Sequence, residues 1–308
     1  MTIGLIDTDG HGFPNLPLMK LAAWHKAQGD AVEWYAPFGD RYDRVYISKV
    51  FSFSAPYDYA INADEVIRGG SGFAIQYDDG RERYCKEQDA PLPAAVEHIR
   101  PDYSIYPANI TKGAAYGFLT RGCPRGCGFC IVGTKEGRHA QKVADVAEFW
   151  DGQPRIVLLD ANLLACAEWA QLVEQLARTG AEIDLNQGID ARLLTEEKAQ
   201  ALAALKMPEV HFAWDRFADG DVILPRLELW QKYNKARVNH AVVYTLVNYD
   251  STFAEDLARI YTLRDLGYWA FVMIYDKEHA APEYRRLARW CNNRFIFGAC
   301  KDFNDYKD

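Results

Sequence analysis

The chain has 308 residues, 49% of them hydrophobic and 25% charged, with 35 Lys and Arg against 43 Asp and Glu for a net charge of −8. That composition excludes a disordered, collagen-like or low-complexity chain and leaves room for two domains or one large one. The acidic balance disfavours a dedicated nucleic-acid-binding domain, although a nucleic acid substrate stays open. No apolar run approaches the roughly 18 residues of a membrane span. The opening Met1-Thr2-Ile3-Gly4-Leu5-Ile6-Asp7 lacks the basic segment of a signal peptide, so a cytoplasmic protein with no membrane partner is expected.

From the N-terminus, Ile3–Asp7 reads as a strand ending in the polar loop Thr8-Asp9-Gly10-His11-Gly12. A helix is predicted over Leu16–Gln28, with Leu18, Leu21, Ala22 and His25 on one face and Gly29 as its stop. Ala31–Ala36, Arg44–Ser48, Glu65–Ile67 and Tyr103–Tyr106 read as further strands, with an irregular stretch from Ser52 to Leu92. The alternation predicts a small Rossmann-like α/β domain over residues 1–107.

After the connector Pro107–Gly113 the rhythm becomes regular. Strands are predicted at Ala115–Thr120, Ile156–Asp160, Glu182–Asn186, Val210–Trp214, Ala241–Val247 and Ala270–Tyr275. Helical patterns follow at 142–150, 167–179, 195–205, 222–235, 253–265 and 282–292. Six βα units imply a parallel sheet with helical crossovers, and six are too few for a closed eight-fold barrel. The expected fold is therefore α/β, an N-terminal Rossmann-like domain followed by a partial (β/α)6 barrel over residues 113–308.

Three of the seven cysteines, Cys123, Cys127 and Cys130, form C-x3-C-x2-C directly after the first of these strands. Thiolates favour zinc or iron–sulfur clusters. Gly122, Gly126 and Gly128 allow the tight curl that lets three sulfurs converge. A structural zinc site or an ordinary cubane asks for four ligands, so three leave one iron open to a substrate or cofactor. A zinc site completed by His139 or a distant cysteine is the competing reading.

This segment, with the aromatic Phe129 before the last cysteine, resembles the radical S-adenosylmethionine superfamily. The resemblance covers residues 113–308. It implies a 4Fe–4S cluster on Cys123, Cys127 and Cys130, with S-adenosylmethionine chelating the fourth iron. It further implies reductive cleavage to a 5′-deoxyadenosyl radical that abstracts hydrogen from a substrate, with flavodoxin or ferredoxin as electron donor. By position, Asp160 and Asn162 stand where the family holds the methionine amino group, although Asp160-Ala161-Asn162 departs from its Gly-Gly-Glu-like motif. Gln187 and Arg192 fall at the ribose and carboxylate position, and Leu246 and Met273 on an adenine-binding wall. The plain alternatives are a helix cap for Asp160 and Asn162, a surface or core ion pair for Arg192, and barrel core for Phe271, Met273 and Tyr275.

Residues 1–107 resemble the cobalamin-binding domain that precedes many barrels of this superfamily, making cobalamin a candidate cofactor. Asp9-Gly10-His11 resembles its D-x-H element, but Pro14 stands where a glycine is expected. The runner-up activity is a cobalamin-dependent radical methyltransferase; a non-catalytic zinc or iron–sulfur binding module is the alternative of another class. His25, His98, His211, His240 and His279 show no ligand spacing, and Cys291 with Cys300 could serve an accessory cluster. The last predicted helix lies close to Asp308, so no appended RNA-binding domain is expected; with the acidic balance this mildly disfavours tRNA as substrate without excluding it.

Overall fold

Alternating apolar residues at Ile3 and Leu5 and at Val45 and Ile47, all at most 2% exposed, build the first sheet. It is described in a computed structural model that covers residues 1–10, 12–78, 81–234 and 241–307. Strands β1 (Thr2–Asp7), β2 (Ala31–Trp34), β3 (Tyr42–Ser48) and β4 (Ala63–Gly69) pair in parallel in the order β2-β1-β3-β4. Helix α1 (Leu16–Ala27) starts at Asn15, whose side chain accepts from the Leu18 amide, and ends before Gly29 at φ 83°. Its predicted face is the buried one, and Leu18, Leu21 and Ala22 pack on Ile3 and Leu5. The opposite face of the sheet, with Ile6, Val45 and Ile47, is covered by Tyr35, Tyr57, Ile61 and Phe73.

The irregular stretch contains the helical turn α2 (Ser71–Ala74) and a hairpin of β5 (Ile75–Asp78) and β6 (Arg81–Tyr84), which the sequence pattern did not indicate. Two further helical turns follow, α3 (Ala94–Glu97) and α4 (Ala108–Thr111). The expected strand at Tyr103–Tyr106 is instead a 3₁₀ turn: the Asp102 carboxylate accepts from the Ser104 amide and bends the chain. The Tyr103 hydroxyl then donates to the Phe149 carbonyl at 2.9 Å. The expected strand Ala115–Thr120 is divided into β7 (Ala114–Gly117) and β8 (Thr120–Arg121). After the helical turn α5 (Val132–Lys135), the expected helix at 142–150 is replaced by β9 (Gln141–Lys142) and a 3₁₀ turn closed by an Asp145–Glu148 capping box.

The regular alternation then holds. Strands β10 (Arg155–Leu158), β11 (Glu182–Leu185), β12 (Val210–Ala213), β13 (Ala241–Val247) and β14 (Trp269–Ile274) alternate with helices α6 (Trp169–Thr179), α7 (Glu196–Ala203), α8 (Gly220–Tyr233), α9 (Phe253–Asp265) and α10 (Pro282–Asn292), and α11 (Arg294–Ala299) follows. The chain divides into two compact units, Met1–Val157 and Leu158–Asp308, and the connector at 107–113 lies inside the first. In the second unit, β12, β13 and β14 form a parallel sheet. The Asn186 amide donates to the Leu158 carbonyl; parallel bridges pair Glu182 of β11 with Lys206 and Ile189, four residues beyond β11, with Phe212 of β12. The fold is thus mixed α/β with parallel sheets. Among the described residues no helix is long and apolar enough to cross a membrane.

Candidate functional site

The cysteine motif occupies the loop closed by the β8–β9 hairpin, where Thr120 pairs with Lys142 and Arg121 with Gln141. Gly122 sets the neck of this loop. Its φ is 90°, and a Cβ there would lie 2.1 Å from the His139 carbonyl oxygen, so only glycine fits. The Cys123 amide donates to the Gly137 carbonyl at 3.1 Å. The Glu136 carboxylate accepts from the Gly122 amide at 3.0 Å and from Arg121 at 2.9 Å, while the Arg121 guanidinium stacks 3.3 Å over the Phe118 ring. Farther along, the Cys130 amide donates to the Cys127 carbonyl, closing a short turn that contains the half-buried Phe129. Gly126 gives way to Arg138, whose guanidinium nitrogen would sit 2.3 Å from an added Cβ.

The donor chemistry of this loop fits a thiophilic centre. Three thiols lie within eight residues on a pinned backbone, Cys123 and Cys127 half-buried and Cys130 exposed, so an incoming cluster can reach them. No group of three or more His, Cys, Asp or Glu side chains that could hold a metal ion is found among the described residues. A thiolate set is drawn together by the metal it binds, so the ligand identities and the shape of the loop carry the reading. Gly122→Ala is expected to force the neck open, lower stability by about 1–3 kcal/mol and reduce iron uptake on reconstitution. Unchanged iron content with unchanged urea denaturation would contradict this account of the neck.

The other expected cofactor residues lie in the second unit. Asp160 and Asn162, 5% and 3% exposed, follow β10 and line a small cavity with Asp190 and Gly188. Asn162 precedes a 3₁₀ turn but its side chain makes no cap hydrogen bond; its Nδ2 donates to Asp190 at 3.2 Å. Arg192 donates from Nε to Asp190 at 2.7 Å and from Nη1 to Asp219 at 3.1 Å. Asp160, Asn162 and Arg192 thus come together around Asp190 at the C-terminal ends of parallel strands, while Gln187 is exposed. Leu246 and Met273 are register partners on β13 and β14, the first 8% and the second 47% exposed. Two residues earlier the partners Tyr244 and Phe271 meet edge to face, and His211 stacks on Tyr244. The alternate residues Val243, Val247, Ala270 and Val272 are buried, so Met273 belongs to the more open face of this sheet.

Sequence reasoning missed Asp215, just beyond β12. Burial pushes its carboxyl up to about 6, against the pull of Arg259, Arg192 and a hydrogen bond from the Leu246 backbone. No local pattern signals this, because the cause is three-dimensional desolvation. A carboxyl raised in the folded state holds its proton where the unfolded chain has lost it. Stability is therefore unaffected below pH 4 and falls as pH rises through about 6. Asp215→Asn is expected to gain roughly 2–3 kcal/mol over the parent at pH 7 and to match it near pH 4. Urea denaturation at both values checks this, and equal stability at pH 7 would refute it.

The first-unit residues singled out in the sequence have structural partners. Asp9 accepts from the Val50 and Phe51 amides and the Ser54 hydroxyl, holding the loop after β3, and Asp7 accepts from the Tyr106 hydroxyl. His11 and His240 lie outside the described residues. His25 is buried between Asp30 and the Tyr46 hydroxyl, at 2.6 and 3.0 Å. Cys291 is fully buried, its thiol pushed up by desolvation and donating to the Ala270 carbonyl; Cys300 donates to the Asp302 carbonyl. No family model matches the chain, and no curated protein matches it.

Proposed function

We propose that this chain is a radical S-adenosylmethionine enzyme, with a cobalamin-domain-like Rossmann module over residues 1–107 and a partial (β/α)6 barrel over residues 113–308. The observation that carries the reading is C-x3-C-x2-C with Phe129 on the pinned loop after β7 and β8, ahead of a run of βα units. The succession of β11, β12, β13 and β14 as spatial neighbours in chain order supports the barrel. Cys123, Cys127 and Cys130 would hold a 4Fe–4S cluster. Together with S-adenosylmethionine, that group supplies one-electron chemistry ending in hydrogen abstraction by a 5′-deoxyadenosyl radical. The chain's own part is to bind and orient. Phe129 flanks the thiols, Asp160, Asn162 and Asp190 form a polar pocket suited to an ammonium, and Leu246 and Met273 offer an apolar wall for a base. A flavodoxin or ferredoxin would supply the electron in the cytoplasm.

The test is anaerobic reconstitution with iron and sulfide, then dithionite reduction with S-adenosylmethionine and chromatography for 5′-deoxyadenosine. Formation of the nucleoside supports the proposal, and a loaded cluster that never yields it contradicts the proposal. The second reading is a zinc site completed by His139, whose backbone carbonyl lies at the Gly122 neck of the same loop. Uptake of zinc and no iron would establish that reading instead.

A further inference from the structure

The first unit contains a cavity of about 720 Å³ that no part of the proposed chemistry uses. That volume lies within the range of small-molecule sites. Its walls come from α1, the C-terminal ends of β3 and β4, the segment 89–99 and the root of the cysteine hairpin. Most of the lining is apolar. Contacts with the core do not close it: Trp24, Ile67 and Leu92 pack on the core of Ile3, Leu5 and Leu18 yet stay half-buried, and all three line the cavity.

The charges around this apolar floor are unevenly matched. Every lining carboxylate is already engaged. Asp89 accepts from the Tyr84 hydroxyl, Glu97 from Lys20 and Arg121, Glu136 from Arg121 and the Gly122 amide, and Glu148 from the Asp145 amide beside His98. Arg44 pairs with Glu65. Two lining cations have no hydrogen bond or ion pair among the described residues, Arg68 at the exposed rim and the half-buried Lys135. Burial pushes the Lys135 ammonium below its ordinary range, with Asp89 and Glu136 only partly offsetting it. A cation held out of water and only partly matched by nearby carboxylates is stabilised when an anion joins it directly.

We propose that this cavity binds a small apolar carboxylate, its hydrocarbon body on Trp24, Ile67 and Leu92 and its carboxylate on Lys135. The site stands independently of the iron–sulfur reading, since binding is measured without reductant or S-adenosylmethionine. The experiment is calorimetric titration of the full chain with 2-naphthoate and with its neutral analogue 2-naphthamide. Naphthoate should bind at least tenfold more tightly. Lys135→Met should bring the two ligands to the same affinity without weakening naphthamide, and Lys135→Arg should keep the preference. Leu92→Trp, which fills the cavity, should abolish binding of both while circular dichroism shows a folded chain. Equal affinities in the parent, a preference that survives Lys135→Met, or no binding of either ligand would each overturn the proposal.

Discussion

Cys127→Ala is expected to leave the reconstituted protein without iron and sulfide and without 5′-deoxyadenosine formation, at unchanged fold. Cys127 is half-buried on a loop whose backbone is held by the Gly122 neck and the Cys123–Gly137 hydrogen bond. Truncation removes one proposed ligand while leaving those backbone contacts in place. Two remaining thiolates cannot hold a cubane. Cys166→Ala and Cys291→Ala are the controls. Both side chains are buried, 1% and 0% exposed, and Cys291 is kept protonated by desolvation, so neither should change metal content. Iron and sulfide at parental levels in Cys127→Ala would remove the ligand assignment and the proposed function with it.

The largest effect on stability is expected at Asp256. Its carboxylate and the Arg259 guanidinium are paired and both 0% exposed. Asp256 also accepts from the Asn248 amide and the Ser251 hydroxyl, while Arg259 donates to the Trp214 and Leu246 carbonyls. This pair ties the ends of β12 and β13 together beside Asp215, where Asn248 takes the left-handed conformation at φ 63°. Removing one member strands a buried charge, so Asp256→Ala should lower stability by about 3–5 kcal/mol. The double variant Asp256→Leu with Arg259→Met should lose less than either single change. Glu174→Ala, which breaks an exposed pair with Arg178 on α6, should cost less than about 0.5 kcal/mol. Urea denaturation measures all of these, and a loss below about 1 kcal/mol for Asp256→Ala would contradict the assignment.

Asp256 and Asp215 also fix how the polar groups of the second unit divide. Asp256 spends its charge on the fold, whereas Asp215, pushed up to about 6, reaches half-protonation about two pH units above an ordinary aspartate, beside Arg192 and Asp219. A carboxyl in that condition can give or take a proton at the strand ends where Asp160, Asn162 and Asp190 gather. Asp215→Asn therefore reports on proton transfer as well as stability once an assay exists.

The sequence by itself determined the elements whose periodicity was long and uninterrupted. Helix α1, α6, α9 and α10 and strands β3, β12 and β13 fall within a few residues of expectation, because an apolar stripe of at least two turns or an apolar strand bounded by turn residues admits few alternatives. It also made the cysteine motif legible, since three thiols within eight residues on a glycine-rich loop stand apart from the four scattered cysteines. Tertiary structure decided the rest. Tyr103–Tyr106 had strand-like composition, but one Asp102 side-chain hydrogen bond made it a turn, and residues 142–150 had too short an apolar stripe to hold a helix against hairpin pairing at Lys142. The partners of Asn162 and Arg192, the raised carboxyl of Asp215 and the lowered ammonium of Lys135 depend on residues brought together by the packed chain. Burial and charge pairing are properties of the packed chain, and no local pattern encodes them.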